Sequence, residues 1–143
     1  MTNNFFKIPL QTGDLIRNID VEKCNINNSI AHYIHLITTT YLGECSFDEN
    51  FGCSFWNLDF DNLKSANIIK NQIKESLTDA LLKLEKRVSN MVVDVKIKQE
   101  EIDNNSNGIH VKKRIDITVK GKIKQTNERF DYFEHFYIGP LSY

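Results

Sequence analysis

Apolar residues recur every three to four positions in two stretches of the chain, then at every second position in a third. That change of period divides the sequence. Ile30, Ile34, Ile37 and Tyr41 follow one another at spacings of four, three and four, which makes one stripe along a helix. Asn28 or Ser29 is placed to cap it, and it is expected to run to about Leu42. Gly43 then stands where a helix commonly needs a left-handed residue to stop. The second stripe is longer: Ala66, Ile69, Ile73, Leu77, Ala80, Leu81 and Leu84, with Lys70, Lys74, Asp79 and Lys83 on the other side. It predicts a helix from Asp61 or Ser65 to about Leu84.

Beyond it the period falls to two. Met91, Val93, Val95 and Ile97 alternate with Val92, Asp94, Lys96 and Lys98, as in a half-buried strand. Asp103-Asn104-Asn105-Ser106-Asn107-Gly108 reads as a polar turn, because these residues bond their own backbone or tolerate positive φ. Ile109, Val111, Ile115, Ile117, Val119 and Ile123 share the face opposite Lys112, Arg114, Asp116, Thr118 and Lys120. Thr126-Asn127-Glu128 turns the chain into a last aromatic strand, Phe130 to Ile138, ended by Gly139-Pro140. Consecutive strands joined by short turns pair antiparallel. The expected class is α+β, with two main helices packed on a three-stranded antiparallel β-meander. Residues 1–26 read as an N-terminal arm and residues 27–143 as a single domain.

Two segments do not follow a period. Phe5-Phe6-Lys7-Ile8-Pro9-Leu10 is a short apolar patch, either an arm that packs on something or a partly ordered terminus. Between Glu44 and Asp61 lie Phe47, Phe51, Phe55, Trp56 and Phe60, with Gly52 available for a tight bend. Such a loop is expected to fold back on its own rings.

Composition narrows the function classes. The 143 residues carry 18 basic and 19 acidic side chains, a formal net charge of -1, so no global field draws the chain to nucleic acid or anionic lipid. No apolar run reaches the length of a membrane span, and Met1-Thr2-Asn3-Asn4 lacks the start of a secretion signal. Cys24, Cys45 and Cys53 form no CxxC pair, which suits free thiols in a reducing cytoplasm. His32 and His35 lie close in sequence, but with those cysteines they match no zinc spacing, so no metal is expected.

There is no Gly-rich phosphate loop, nucleophile elbow or HExxH. Three carboxylates raise an enzymatic alternative: Glu44 with Asp48 or Glu49, beside aromatic rings, are the residue types a peptidoglycan hydrolase uses. Against it, acidic loop residues are ordinarily solvated or bonded to backbone amides. Glu85-Lys86-Arg87 sits where the long helix hands over to the first strand. Its plain reading is a solvated helix end, its basic pair matched to the negative end of the helix dipole. The interaction reading is a rigid corner from which an Arg fork grips a partner's carboxylates or carbonyls.

Gly43-Glu44-Cys45-Ser46-Phe47-Asp48-Glu49-Asn50-Phe51-Gly52 resembles the helix-stop segment of the GPW/TssE family, in which a Gly-Glu or Pro-Gly start precedes Phe-Asp and then Phe-Gly. Glu85-Lys86-Arg87 falls where that family carries Glu-Pro-Arg, and Ile138-Gly139-Pro140-Leu141 is similar to a family strand end. The resemblance covers the chain from about Ile26 to Leu141. It implies a structural baseplate wedge subunit of type VI secretion systems and contractile tails, cytoplasmic and not an enzyme, with no cofactor. The partners it implies are larger wedge proteins of the TssF/TssG kind and contractile sheath subunits, with neither nucleic acid nor membrane insertion. Glu85, Lys86, Arg87 and Glu44 are the expected contact residues, and the sheet is the expected template for strand exchange with the sheath. Lys86 departs from the family proline, which would rigidify the corner and bar the helix from continuing. With Lys86 the helix is free to run a residue further. A third reading, a generic α+β binding module, stands beside these.

Overall fold

The computed structural model describes residues 4–10, 12–17, 23–57, 65–104 and 108–138. The elements run β1 (Phe5–Phe6), α1 (Thr12–Ile16), β2 (Lys23–Cys24), α2 (Ile26–Thr39), a 3-10 turn (Ser54–Asn57), α3 (Ala66–Leu84), β3 (Val88–Asn104), β4 (Gly108–Ile123) and β5 (Arg129–Ile138). The expected architecture is present: α2, α3 and a three-stranded antiparallel sheet in the order β3-β4-β5. In the arm, β1 pairs antiparallel with β2, matching Phe5 to Cys24 and Phe6 to Lys23.

The helices differ from their expected limits for local reasons. α2 begins a turn earlier than Asn28, because Asn25 Oδ1 accepts the Asn28 N–H at 2.9 Å and so caps the first turn. It ends at Thr39 rather than near Leu42. The hydroxyls of Thr38, Thr39 and Thr40 bond back to the carbonyls of Ile34, His35 and Leu36 at 2.7, 2.7 and 2.5 Å, and Thr40 is already extended. Gly43, at φ 88°, serves the turn that follows. α3 is capped by Ser65; the alternative start at Asp61 lies outside the described residues, as do Phe60, Asn105 to Asn107 and Gly139-Pro140.

The two stripes and the alternating positions meet in one core. Ile30, Ile34 and Ile37 of α2 and Ile69, Ile73, Leu77 and Leu81 of α3 pack with Val93, Val95, Ile115, Ile117, Val119, Ile123 and Phe130. Burying each such side chain contributes about 2 kcal/mol. Register puts Val93 against Val119, Val95 against Ile117 and Ile97 against Ile115. A bulge between Ser89 and Val92, with Asn90 at φ 51°, bends the start of β3. Gly121 lies under that bend: a Cβ there would come 2.4 Å from Val88 Cγ1 and 3.0 Å from Ser89 O.

The aromatic loop folds back in part. Trp56 donates Nε1–H to Thr38 O at 2.7 Å, and its ring meets Tyr41 and Phe136; Phe51 packs on Tyr33. Phe47 instead remains 95% exposed. A pairing with no sequence signal joins α2 to β5. His35 Nδ1 lies 2.6 Å from Glu134 Oε1, and the Tyr132 hydroxyl donates to Glu134 Oε2. Burial, then the Glu134 carboxylate, raises the Tyr132 pKa strongly.

Candidate partner-binding corner

α3 stops at Leu84 although no proline follows it. Glu85 is the C-cap; its N–H reaches Leu81 O at 2.9 Å while its own backbone is extended. Its carboxylate fixes the chain beyond it. Oε1 accepts the Arg87 main-chain N–H at 2.9 Å, closing a tight turn over Lys86. The helix therefore does not run further. Lys86 points outward, its Nζ donating to Leu82 O at 3.1 Å.

Glu85 is not displayed. Only 2% of it is exposed, among the least exposed ionisable residues of the described chain. The carboxylate is satisfied by Arg87, whose Nε bonds Oε1 at 2.9 Å and whose second terminal nitrogen bonds Oε2 at 2.8 Å. This is the two-pronged geometry in which an Arg–carboxylate pair is strongest. The remaining terminal nitrogen donates to Ser29 Oγ of α2 at 2.8 Å. The Arg87 carbonyl accepts from Lys124 N at 2.8 Å, which ties the corner to the turn between β4 and β5. The side chain of Arg87 nevertheless keeps 31% of its surface exposed.

Two rings flank the guanidinium: Phe5 of the arm at 5.7 Å and Tyr33 of α2 at 5.8 Å. Burial first, then the charges of Glu85 and Asp48, raise the Tyr33 pKa against the lowering pull of Arg87. Tyr33 also packs on Phe51. Tyr33 thus joins the 43–52 loop to the corner, and Arg87 joins the corner to the arm. Ser29 and Tyr33 were not singled out from the sequence. Their i, i+4 spacing on the flank of the α2 stripe is the only local signal they carry.

Glu44 is engaged elsewhere, its Oε2 accepting the Tyr41 N–H at 2.9 Å while Glu44 N donates to Tyr41 O at 3.1 Å. Asp48 Oδ1 accepts from Asn50 N at 3.0 Å, and Phe51 N donates to Asp48 O. Both acids close turns of the loop, and Glu44, Asp48 and Glu49 are all exposed. Gly52 ends the loop at φ 111°, where a Cβ would lie 2.6 Å from Thr40 O. A shallow cavity of about 170 Å³, lined by Leu42, Cys53, Ser54, Ser76, Asp79 and Lys83 among others, includes none of the three carboxylates. Among the described residues no three His, Cys, Asp or Glu side chains gather to hold a metal, and no helix is long and apolar enough to cross a membrane.

The fold recurs among solved structures. A Geobacter sulfurreducens protein named for a tail lysozyme shares the fold, with a TM-score of 0.59 at 20% identity, over 86% of this chain and 100% of the other. A chain of the baseplate complex from the type VI secretion system aligns at 17% identity and a TM-score of 0.49, over 78% of this chain and 93% of that one. No curated protein matches the chain. The family model of the baseplate wedge protein gp25 matches residues 25–128, from the cap of α2 to the turn before β5, and so takes in the 43–52 loop and the corner. The chain belongs to the gp25 baseplate wedge family.

Proposed function

We propose that the chain is a non-catalytic assembly subunit of a cytoplasmic contractile injection machine. It joins larger wedge proteins at the Arg87 corner to contractile sheath subunits at the sheet. The observation that carries this reading is the Glu85–Arg87 pair. A buried carboxylate selects the guanidinium's conformation before any partner arrives, so little side-chain entropy is lost on binding. The exposed third of Arg87 presents donors toward a partner's carboxylate or carbonyl groups, and Lys86 and Glu44 flank the contact in this reading. The sheet contributes unpaired main-chain groups along an edge, which an added strand satisfies.

The hydrolase alternative, Glu44 with Asp48 or Glu49, which the name of the Geobacter protein also suggests, finds less support. A glycosidase acid must sit in a desolvating pocket opposite a second carboxylate, whereas Glu44 and Asp48 serve as turn caps on an exposed loop.

Co-purification with the wedge proteins of the same gene cluster tests the proposal. Arg87→Ala should abolish it, and because that change also unpairs Glu85, the double variant Glu85→Met/Arg87→Met supplies the control. It replaces the pair by apolar side chains of similar length, which folded proteins commonly tolerate. A double variant that melts like wild type yet no longer binds supports the proposal; one that still binds removes the corner from the interface. Cell-wall turnover abolished by Glu44→Gln would favour the hydrolase instead.

A further inference from the structure

Phe5 and Tyr33 share the Arg87 guanidinium, at 5.7 and 5.8 Å, but they are held very differently. Tyr33 sits within the 14 residues of α2 and packs on Phe51 as well. Phe5 belongs to a strand of 2 residues, paired with the 2 residues of β2. A two-stranded pair is marginal by itself even when longer than this one. Phe6, Ile8 and Leu10 of the same segment are 57, 41 and 44% exposed, so its apolar side chains are not sealed into the core. Behind β1 lies Cys24, buried, its thiol donating to Phe6 O at 3.6 Å. Both arm strands precede residue 25, where the family match begins. The corner's own bonds, Arg87 to Glu85 and Arg87 to Ser29, lie within the matched residues and do not involve the arm.

We propose that residues 4–10 form an autoinhibitory strap over the corner: Phe5 occupies Arg87 in the free chain, and a wedge protein binds fully only when β1 peels from β2. This rests on the reading above that Arg87 is the contact, and adds what controls access to it. A guanidinium is recognised through its in-plane donors and its flat faces. Glu85 and Ser29 hold donors of Arg87 whether the strap is down or lifted, so its conformation persists when Phe5 leaves. Lifting the strap gives up a cation–π contact and a short strand pairing, the kind of local opening that proteins make without unfolding. Only the open fraction is competent, so closure weakens the apparent affinity in proportion to that fraction.

Alkylation of Cys24 in the full chain, read by mass spectrometry, reports the strap without any partner, because that thiol is buried and bonded to β1. Phe5→Ala should speed it about fivefold and tighten binding to the wedge proteins of the same gene cluster by about the same factor. The converse variant, Phe6→Cys/Lys23→Cys, sets a disulfide across two paired residues and holds the strap down. Oxidised, it should bind about tenfold more weakly than after reduction, and its reduced form is its own folding control. Should Phe5→Ala not fold, this comparison decides. Equal affinity of the oxidised and reduced forms, or Cys24 labelling unchanged by Phe5→Ala, overturns the strap, while binding that still depends on Arg87 leaves the corner standing. Weaker binding by Phe5→Ala would make Phe5 part of the interface, and also overturns it. Absence of binding by every form, Phe5→Ala included, removes the corner and the strap together.

Discussion

Glu85 and Glu44 each follow the end of a helix, and each accepts a backbone N–H within three residues. Their surroundings make them different objects. Glu85 is sealed beneath Arg87, with both carboxylate oxygens bonded to that residue. Glu44 lies on the surface and bonds one amide, that of Tyr41. A buried carboxylate deprived of its partner carries the full cost of desolvation, whereas an exposed one exchanges the lost bond for water. The corner is therefore brittle and well positioned, and the loop is tolerant except where its backbone is strained. Tyr33 touches both and is the residue through which one can affect the other.

The largest expected effect is at the corner. Arg87→Ala should destabilise the fold by about 3 kcal/mol, since it leaves the Glu85 carboxylate buried with only a main-chain donor. Chemical denaturation measures it, and a loss under about 0.5 kcal/mol would put Glu85 on the same footing as Glu44. Next comes the loop's strained point. Gly52→Ala should cost about 2 kcal/mol, from positive φ and a Cβ pressed toward Thr40 O. A melting temperature equal to wild type would mean that the loop yields where the corner does not.

Glu44→Gln is expected to change stability by at most about 0.5 kcal/mol, as its single bond is exposed. A cost near that of Arg87→Ala would dissolve the contrast. The smallest effect at neutral pH concerns Tyr33. Its pKa in the folded state is raised above the ordinary 10.0, so the folded chain holds that proton more tightly than the unfolded one. The contribution is fully present below pH 10 and is lost as pH rises through the higher folded value. Tyr33→Phe should thus leave stability at pH 7 nearly unchanged and flatten its fall above pH 10, read as the difference between two denaturation series so that Tyr132 cancels. Identical slopes would show that Tyr33 is not sealed by the corner and the loop.

Both long helices and all three strands of the meander were legible in the sequence because their signals are periodic and local. Ile69, Ile73, Leu77 and Leu81 define a face wherever that helix is placed, and Val93 and Val95 must point together in any strand. The helix ends were less legible around Asn25 and Thr39. Asn25, Asn27 and Asn28 are all competent caps, and the back-bonding of three threonines does not register in hydrophobic spacing.

The chain by itself determined the class of fold, the inward faces and the place of the Glu85-Lys86-Arg87 segment between α3 and β3. Those depend on neighbours within a few positions, where sequence spacing is spatial spacing. Whether the corner's charges face outward or bind each other was decided only by the tertiary structure. Arg87 meets Ser29, 58 residues away, and Phe5 from the arm, and it is their closure over the turn that buries Glu85. The pairing of His35 with Glu134, 99 residues apart, has the same origin. Contacts across such separations follow from how the helices settle on the sheet, and no residue encodes that placement in its own neighbourhood.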